Sequence, residues 1–269
     1  LISNVEEVLR RRASEQQTES SQKNSDEAQQ PNRPAACSTD ASAPPSVEEI
    51  GAAVAALRNG AAAGLDDITA PLLKASPTVI KWLHRVICAV WLSGCAPVDW
   101  KRAVIIPLFK GKGDRKVTGN HRPISLLSIP GKVYALVLLN RVPAHVDVRL
   151  QDSQCAFRKG RGLTDAAFTL RMLLNKCHEF KQPLYLAFVD LSKAYDSVPR
   201  DALWRVLSAY QVDPKLVQLL HDLHTGTQAA VKLAGGLSEW FDITNGVRQG
   251  CVIAPVLFNV FFDCVVRAA

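Results

Sequence analysis

No apolar run in this chain of 269 residues is long enough to cross a membrane: the longest, Cys251 to Phe262, has 12 residues and carries Pro255 and Asn259, against the roughly 18–20 that a spanning helix needs. The chain starts at Leu1 without the basic, apolar and small-residue order of a signal peptide. Export therefore gains no support, and the start reads as that of a fragment. The seven cysteines are odd in number, scattered and without a C-x-x-C pair, which argues against a disulfide framework or a zinc ribbon and for a reducing compartment. There is no internal repeat. Residues 13–45 hold no Leu, Ile, Val or aromatic residue; a segment that can bury so little cannot offset its ordering entropy, so disorder is expected up to residue 45.

Positive charge is present but uneven. Residues 1–46 hold five basic and seven acidic side chains, whereas Lys101 to Arg161 hold thirteen basic and three acidic ones, a net of +10 that exceeds the +7 of the whole chain. Such a concentration is the footprint expected for a polyanion, because each phosphate contact releases condensed counterions. A solvated basic face would give the same arithmetic.

Beyond residue 45 the pattern becomes that of a folded domain. Ser46-Val47-Glu48-Glu49 has capping-box spacing, and Val47, Ile50, Val54 and Leu57 share one helical face that ends at Asn59-Gly60. Val79 to Leu92 reads as a buried helix, Ala103 to Phe109 as a strand interrupted by Pro107, and Lys132 to Arg141 as a helix. Leu163, Ala167, Leu170, Leu174 and Cys177 mark a further helix that Thr164 could help to start. Leu184 to Asp190 has the length and composition of a buried strand. Helices follow near 199–210 and 214–224, then strands at Gln228 to Leu233 and Leu237 to Ile243 around Gly235-Gly236, and a last helix from about Pro255 to Arg267.

Two segments could carry chemistry. In Leu184-Tyr-Leu-Ala-Phe-Val-Asp190-Leu-Ser-Lys193-Ala-Tyr195-Asp196-Ser-Val-Pro199, a strand delivers a carboxylate at its end, where phosphate and metal chemistry is often found, although a lone Asp there is more often a turn residue. In Gly246-Val-Arg-Gln249-Gly250-Cys-Val-Ile-Ala254-Pro255-Val-Leu-Phe258, glycines allow close approach and Gln249 offers both a donor and an acceptor. A turn before a core helix would look the same. His221-x-x-His224 and Cys177-His178 lack further ligands at zinc spacing and read as helix faces.

Taken in order, these segments and four others resemble the reverse transcriptase domain of non-LTR retrotransposons. Asn59-Gly-Ala-Ala-Ala-Gly64-Leu-Asp66-Asp67-Ile68 is similar to an early Gly-x-Asp-Gly-Ile segment of that family. Trp100 to Lys110 and Asn120-His-Arg122-Pro123-Ile-Ser125-Leu-Leu127 look like its fingers hairpin, and Gln154-Cys-Ala-Phe157-Arg158-Lys-Gly-Arg161 like its Gln-x-Gly-Phe-Arg segment. Asp190 to Val198 resembles the metal-binding palm motif, and Gly246 to Phe258 the Gln-Gly segment after it.

The resemblance implies an α+β right-hand polymerase: a disordered tail over 1–45, a helical N-terminal extension over 46–99, fingers over 100–183 and a partial palm over 184–269, the reverse-transcriptase-like region being about 90–269. The implied activity is RNA-directed DNA polymerisation by two-metal phosphoryl transfer, with two magnesium ions in the complete enzyme, an RNA template, a DNA primer and deoxynucleoside triphosphates. An intracellular, nuclear setting is implied too, and no membrane. By the same resemblance Asp190 is the first catalytic carboxylate and a metal ligand, with the Leu191 carbonyl beside it. Lys110, Arg122, Tyr195 and Gln249 are nucleotide-binding positions, Tyr195 as the gate against a ribose 2′-hydroxyl. Phe157, Arg158, Lys159 and Arg161 face the template, while Lys193 and Asp196 have structural roles.

Departures from the family pattern are also present. Ala254 stands where Ser is frequent, Ala156 where Gly is usual and Tyr195 where Phe is frequent. The family's Tyr/Phe-Ala-Asp-Asp hairpin should lie several tens of residues past the Gln-Gly segment, yet 20 residues follow Gln249 and none of them forms Asp-Asp. On that count the chain reads as a fragment that is inactive alone. The rival reading is a catalytically dead nucleic-acid-binding remnant; a phosphohydrolase with Asp190 as nucleophile leaves the motif series unexplained.

Overall fold

The computed structural model describes residues 41–233 and 235–268. The disorder expected over the first forty residues lies outside them. Residues 41–45, expected to belong to that tail, are instead held in place by buried donors. Arg141 donates to the carbonyls of Ala41 and Ala43 (3.0 and 2.6 Å), and the Trp91 indole donates to that of Ser42 (2.8 Å). Arg141 also forms a two-pronged pair with Glu49 (2.9 and 2.7 Å) and lies 4.6 Å over the Trp91 ring.

Helix α1, Val47–Ala55, starts where Ser46 Oγ accepts from the Glu49 amide, which satisfies one of the donors a helix start leaves open. It buries Ile50, Ala53 and Val54 against α3, Pro77–Ser93, and α5, Ile129–Arg141, with the short α2, Ala70–Lys74, alongside. Helix α3 covers Val79 to Leu92, read from the sequence as a buried helix. It buries Leu83, Ile87, Val90 and Trp91 on one face and leaves Trp82 and Leu92 exposed, so it is amphipathic, and it ends at Gly94 in the left-handed region (φ +71).

After the single turn α4, Val98–Lys101, the strand β1, Arg102–Phe109, pairs antiparallel with β2, His121–Leu127. Pro107 does not interrupt β1. It lies opposite Pro123, and two residues without amide hydrogens suit a position where the ladder requires no bond. The other edge of β1 pairs in parallel with β3, Gln228–Leu233. The expected hairpin exists in shortened form: β3 pairs with β4, Gly236–Leu237, and with β5, Phe241–Asp242, so its return strand is split in two.

Helix α6, Pro143–Val146, follows α5. Helices α8, Arg200–Ala209, α9, Pro214–His224, and α10, Ala254–Ala268, pack together and close one continuous apolar core that includes Leu203, Leu207, Leu216, Leu220, Leu257 and Val260. Inside it, the Tyr210 hydroxyl donates to the buried Asp263 carboxylate, which also accepts from Arg267 (2.8 Å) and from the Gln151 amide (2.9 Å).

Two expectations fail together. Helix α7, Leu163–Glu179, forms as expected, but it starts at Gly162, whose amide donates to Asp165 (2.7 Å), so Thr164 is inside the helix and not its cap. Its apolar residues, Phe168, Met172, Leu173 and Leu174 among them, are exposed. Leu184 to Asp190 forms neither a strand nor a buried element: Tyr185, Phe188 and Val189 are each more than four-fifths exposed. A continuous apolar strand needs cover on both faces and partners at its edges. The described residues supply neither.

Candidate active site

The polar loop at Asn245 to Gly250 is where distant motifs meet. In the turn after Asp190, the amides of Asp196 and Ser197 both donate to the Lys193 carbonyl at 3.0 Å, with Lys193 itself at φ +49. The Gly246 amide then donates to the Val198 carbonyl and the Val247 amide to the Tyr195 carbonyl, both at 2.9 Å. Only glycine suits position 246. Its φ is +79, and a Cβ there would lie 2.7 Å from Asp196 Cα and from the Tyr195 carbonyl oxygen. Gly250 makes a similar approach to β2, where a Cβ would stand 3.0 Å from the Ser125 carbonyl oxygen.

Side chains complete the junction. Gln249 Nε2 donates to both carboxylate oxygens of Asp196 at 3.2 Å. Tyr195 stacks on Phe258 (centroids 5.0 Å apart, planes 26° apart), and Phe258 on Phe262. Burial against α10 raises the Tyr195 phenol above its ordinary value. A cleft of about 380 Å³ lies here, lined by Ile105, Pro123, Ser125, Asp196, Asn245 and Gln249 among others.

Behind the loop, two arginines that the sequence did not single out hold it in place. Arg200 donates to the Gly246 carbonyl (2.9 Å), to Thr227 Oγ1 (3.1 Å) and to the His224 carbonyl. Arg248 donates to the carbonyls of Trp100 (2.7 Å) and Leu223 (3.2 Å). Leu223 and His224 close α9, so both guanidinium groups sit at the carbonyl end of that helix, where positive charge is favoured. Burial and the neighbouring Arg248 push Arg200 down to about 10. His224 is fully buried; burial first, then Arg248, brings it down to about 3, so it is neutral, with Nδ1 against the Leu220 carbonyl at 2.8 Å. Arg248 lies inside the Gly-Val-Arg-Gln-Gly segment, but a buried partner for it could not be read from spacing.

The early segment has a latch-like role. Ser128 Oγ donates to Asp66 (2.6 Å) and accepts from the Gly131 amide (3.2 Å), which caps α5. A Cβ at Gly64 would stand 2.7 Å from the Ser128 nitrogen, so this glycine permits the docking.

The remaining candidate residues are spread around this junction. Lys110 and Arg122 are exposed on the outer half of the β1–β2 hairpin, with Arg122 opposite Leu108 and Lys110 Nζ donating to the Gly119 carbonyl (2.8 Å). Phe157, at φ +53, is exposed, and so is Lys159. Arg158 is not free to face a ligand: its fork is occupied by the Asp147 carboxylate (2.8 Å) and by the carbonyls of Asp147, Gln151 and Gln154, and its side chain is 5% exposed. Arg161 pairs with Asp152 (2.6 Å). Asp190 and Leu191 are exposed in the segment without regular structure. The two histidines, His221 and His224, lie on α9 as expected of a helix face.

Comparison with known proteins shows the family. The model of the reverse transcriptase (RNA-dependent DNA polymerase) family matches residues 110–269, more than half of the chain. The chain belongs to the reverse transcriptase family. It is 28% identical over 228 residues to the transposon TX1 uncharacterized 149 kDa protein of Xenopus laevis, covering 83% of this chain and 17% of that protein. It is 27% identical over 230 residues to the probable RNA-directed DNA polymerase from transposon BS of Drosophila melanogaster (80% and 24%). The Pol polyprotein from the type-2 retrotransposable element R2DM of the same fly matches at 27% over 210 residues (76% and 19%). The chain thus spans about a fifth of the length of these relatives. The resemblance drawn from the ordered motifs is borne out, and with it the mixed α and β architecture.

Reverse transcriptases generally use divalent metal ions and act on nucleic acid and nucleotides. The described residues do not amount to a two-ion site. Asp190 offers one exposed carboxylate, and among the described residues no three His, Cys, Asp or Glu side chains gather as ligands.

Proposed function

We propose that this chain is the fingers, the nucleotide-facing loop and part of the palm of an RNA-directed DNA polymerase that copies an RNA template from a DNA primer by two-metal phosphoryl transfer. The observation that carries the reading is the junction of Tyr195 and Asp196 with Gly246 to Gln249 and with Ser125 of β2. Three motifs, the outermost 125 residues apart at Ser125 and Gly250, converge on one cleft. The proposed domain division is an N-terminal extension over 46–99, fingers over 100–183 and a partial palm over 184–269.

In this reading Lys110 and Arg122 hold a triphosphate, Tyr195 closes the space beside the sugar, and Gln249 meets the nucleotide or template. Phe157 offers a stacking face and Lys159 a cation to the template; Arg158 supports that loop from beneath, and Arg161 is shared with Asp152. Magnesium is the proposed ion, with Asp190 and the Leu191 carbonyl as ligands beside further carboxylates in a complete enzyme.

A second reading, a binding remnant without catalysis, is favoured by the exposure and isolation of Asp190. Primer extension separates the two. The purified 269-residue chain, given a primed RNA template, magnesium and deoxynucleotides, is expected to stay at background, while a protein that continues into an Ala-Asp-Asp hairpin extends the primer and loses that activity on Asp190→Asn. Extension by the short chain that Asp190→Asn abolishes would overturn the claim that it is inactive alone. A longer protein that never extends would favour the remnant.

A further inference from the structure

We infer that a small cavity between the start of α5 and the loop residues Arg248 and Cys251 is a site for a monovalent anion of about the size of chloride. The inference is independent of what the larger cleft binds. Ser128, Gly131, Lys132 and Ala135 of α5 line the cavity together with Arg248 and Cys251, among others. About 10 Å³ is free to the centre of a water-sized sphere, which is room for one small occupant.

Three observations call for negative charge there. Arg248 is 6% exposed, and its two terminal nitrogens donate to neutral carbonyls, those of Trp100 and Leu223. Its Nε is buried without a hydrogen-bond partner, and among the described residues no carboxylate pairs with this guanidinium. A buried charge left in that state is costly. The carbonyl end of α9 offsets part of it, but Arg200 draws on the same end, and burial and Arg248 lower Arg200 to about 10. The second cation is Lys132, half-buried, whose ammonium has no partner among the described residues and is lowered by burial. Third, α5 has 13 residues and lines the cavity with its first turn, the positive end of its dipole.

The side chains offered to an occupant are donors. No Asp or Glu lines the cavity, Ser128 passes its hydroxyl hydrogen to Asp66, and the Cys251 thiol is a weak donor. A water accepts such bonds but leaves both charges uncompensated. A carboxylate or phosphate exceeds the space of a single particle. Chloride meets both conditions, and an ion there ties α5 to the loop that carries Gln249.

The test uses the 269-residue chain in sodium gluconate, with sodium chloride replacing it at constant ionic strength. An ion that binds the folded state alone raises the thermal midpoint, by about 3–6 °C once chloride reaches about ten times its dissociation constant. Lys132→Met, which removes one cation, and Ala135→Val, which fills the cavity, should each abolish most of that rise. Bromide carries the same charge and scatters anomalously, so crystals grown in bromide should show a peak between Arg248 Nε and Lys132 Nζ. Equal midpoints in chloride and gluconate overturn the inference. So does a rise that both variants keep in full, or a cavity that holds water and gives no bromide signal. Where a variant fails to fold, the wild-type titration and the bromide peak decide alone. None of these readouts depends on primer extension, so the polymerase reading is tested separately.

Discussion

Replacing Gly246 by alanine isolates what holds the candidate site together. Two costs add at this position. The backbone stands at φ +79, and a residue with a Cβ in the left-handed region loses about 1–2 kcal/mol. The new methyl would also lie 2.7 Å from Asp196 Cα and 2.8 Å from its carbonyl oxygen, both backbone atoms that no side-chain rotation can move away. Overpacking of this kind costs typically about 1–3 kcal/mol. Relief by shifting the loop would stretch the bonds from Gly246 to Val198 and from Val247 to Tyr195, each of which contributes about 0.5–1.5 kcal/mol. The expected loss is therefore about 2–5 kcal/mol. Gly226→Ala is the control, since Gly226 has φ +66 and a Cβ there would meet nothing within 4 Å. It should lose only about 1–2 kcal/mol. Urea unfolding followed by circular dichroism gives both values by linear extrapolation. Equal losses in the two variants would refute the claim that close approach to Asp196, and not backbone conformation alone, requires glycine at 246.

Further expectations address charge, titration and the sugar gate. Binding of the chain to single-stranded RNA should weaken steeply with salt, and Lys159→Ala should shallow the log–log slope by about one if that lysine meets a phosphate; Arg158→Ala should instead lower stability, because it leaves the partly buried Asp147 carbonyl and carboxylate without their partner. A slope unchanged by Lys159→Ala removes that residue from the interface. His224 binds its proton less readily when folded, at about 3, than when unfolded, near 6.5, so stability present above pH 6.5 is lost as pH falls from 6.5 toward 3, by at most about 1.4 kcal/mol per pH unit. His224→Leu should flatten this acid limb in urea titrations run between pH 7 and 4, and an unchanged limb would show that other groups cause it. In a longer protein able to extend primers, Tyr195→Ala should raise ribonucleotide over deoxyribonucleotide incorporation by about ten-fold, while Tyr195→Phe changes it little, since about 1.4 kcal/mol of relieved overlap is ten-fold in rate. Loss of folding without a change in the ratio would make Tyr195 a packing residue on Phe258.

Periodicity located most helices to within a few residues, because α1, α3, α8, α9 and α10 each repeat apolar positions on one face, and α1, α3 and α9 also start at a capping side chain, Ser46, Ser76 and Asp213. What periodicity could not supply is cover. The run Leu184 to Val189 has the composition of a strand, and strand formation depends on neighbours that composition does not contain; the same holds for the apolar face of α7. Of the candidate site, Asp196, Gln249 and Tyr195 were legible as members of motifs, whereas their meeting is decided by the hydrogen bonds of the loop to Tyr195 and Val198. The positions of Arg200, Arg248 and His224 were not. Each is decided by which carbonyl or ring it meets across the fold, as Arg248 meets Trp100 from 148 residues away. Arg158 makes the same point in the other direction, since a basic residue in a basic segment proved to be engaged by Asp147 and three carbonyls.

The parallel pairing of β1 with β3 has a consequence for how the protein is made. Arg102 of β1 and its partner Gln228 are 126 residues apart. At the roughly 5–20 residues per second of synthesis, β1 emerges from the ribosome about 6–25 seconds before the strand that covers its inner edge. The β1–β2 hairpin can close in that interval, but its open side remains a row of unpaired amides and carbonyls next to Ala103, Val104 and Ile105. Neighbouring nascent chains on one message would present the same edge at the same time, so the yield of folded protein should depend on how densely the message is translated, and slower initiation should favour it.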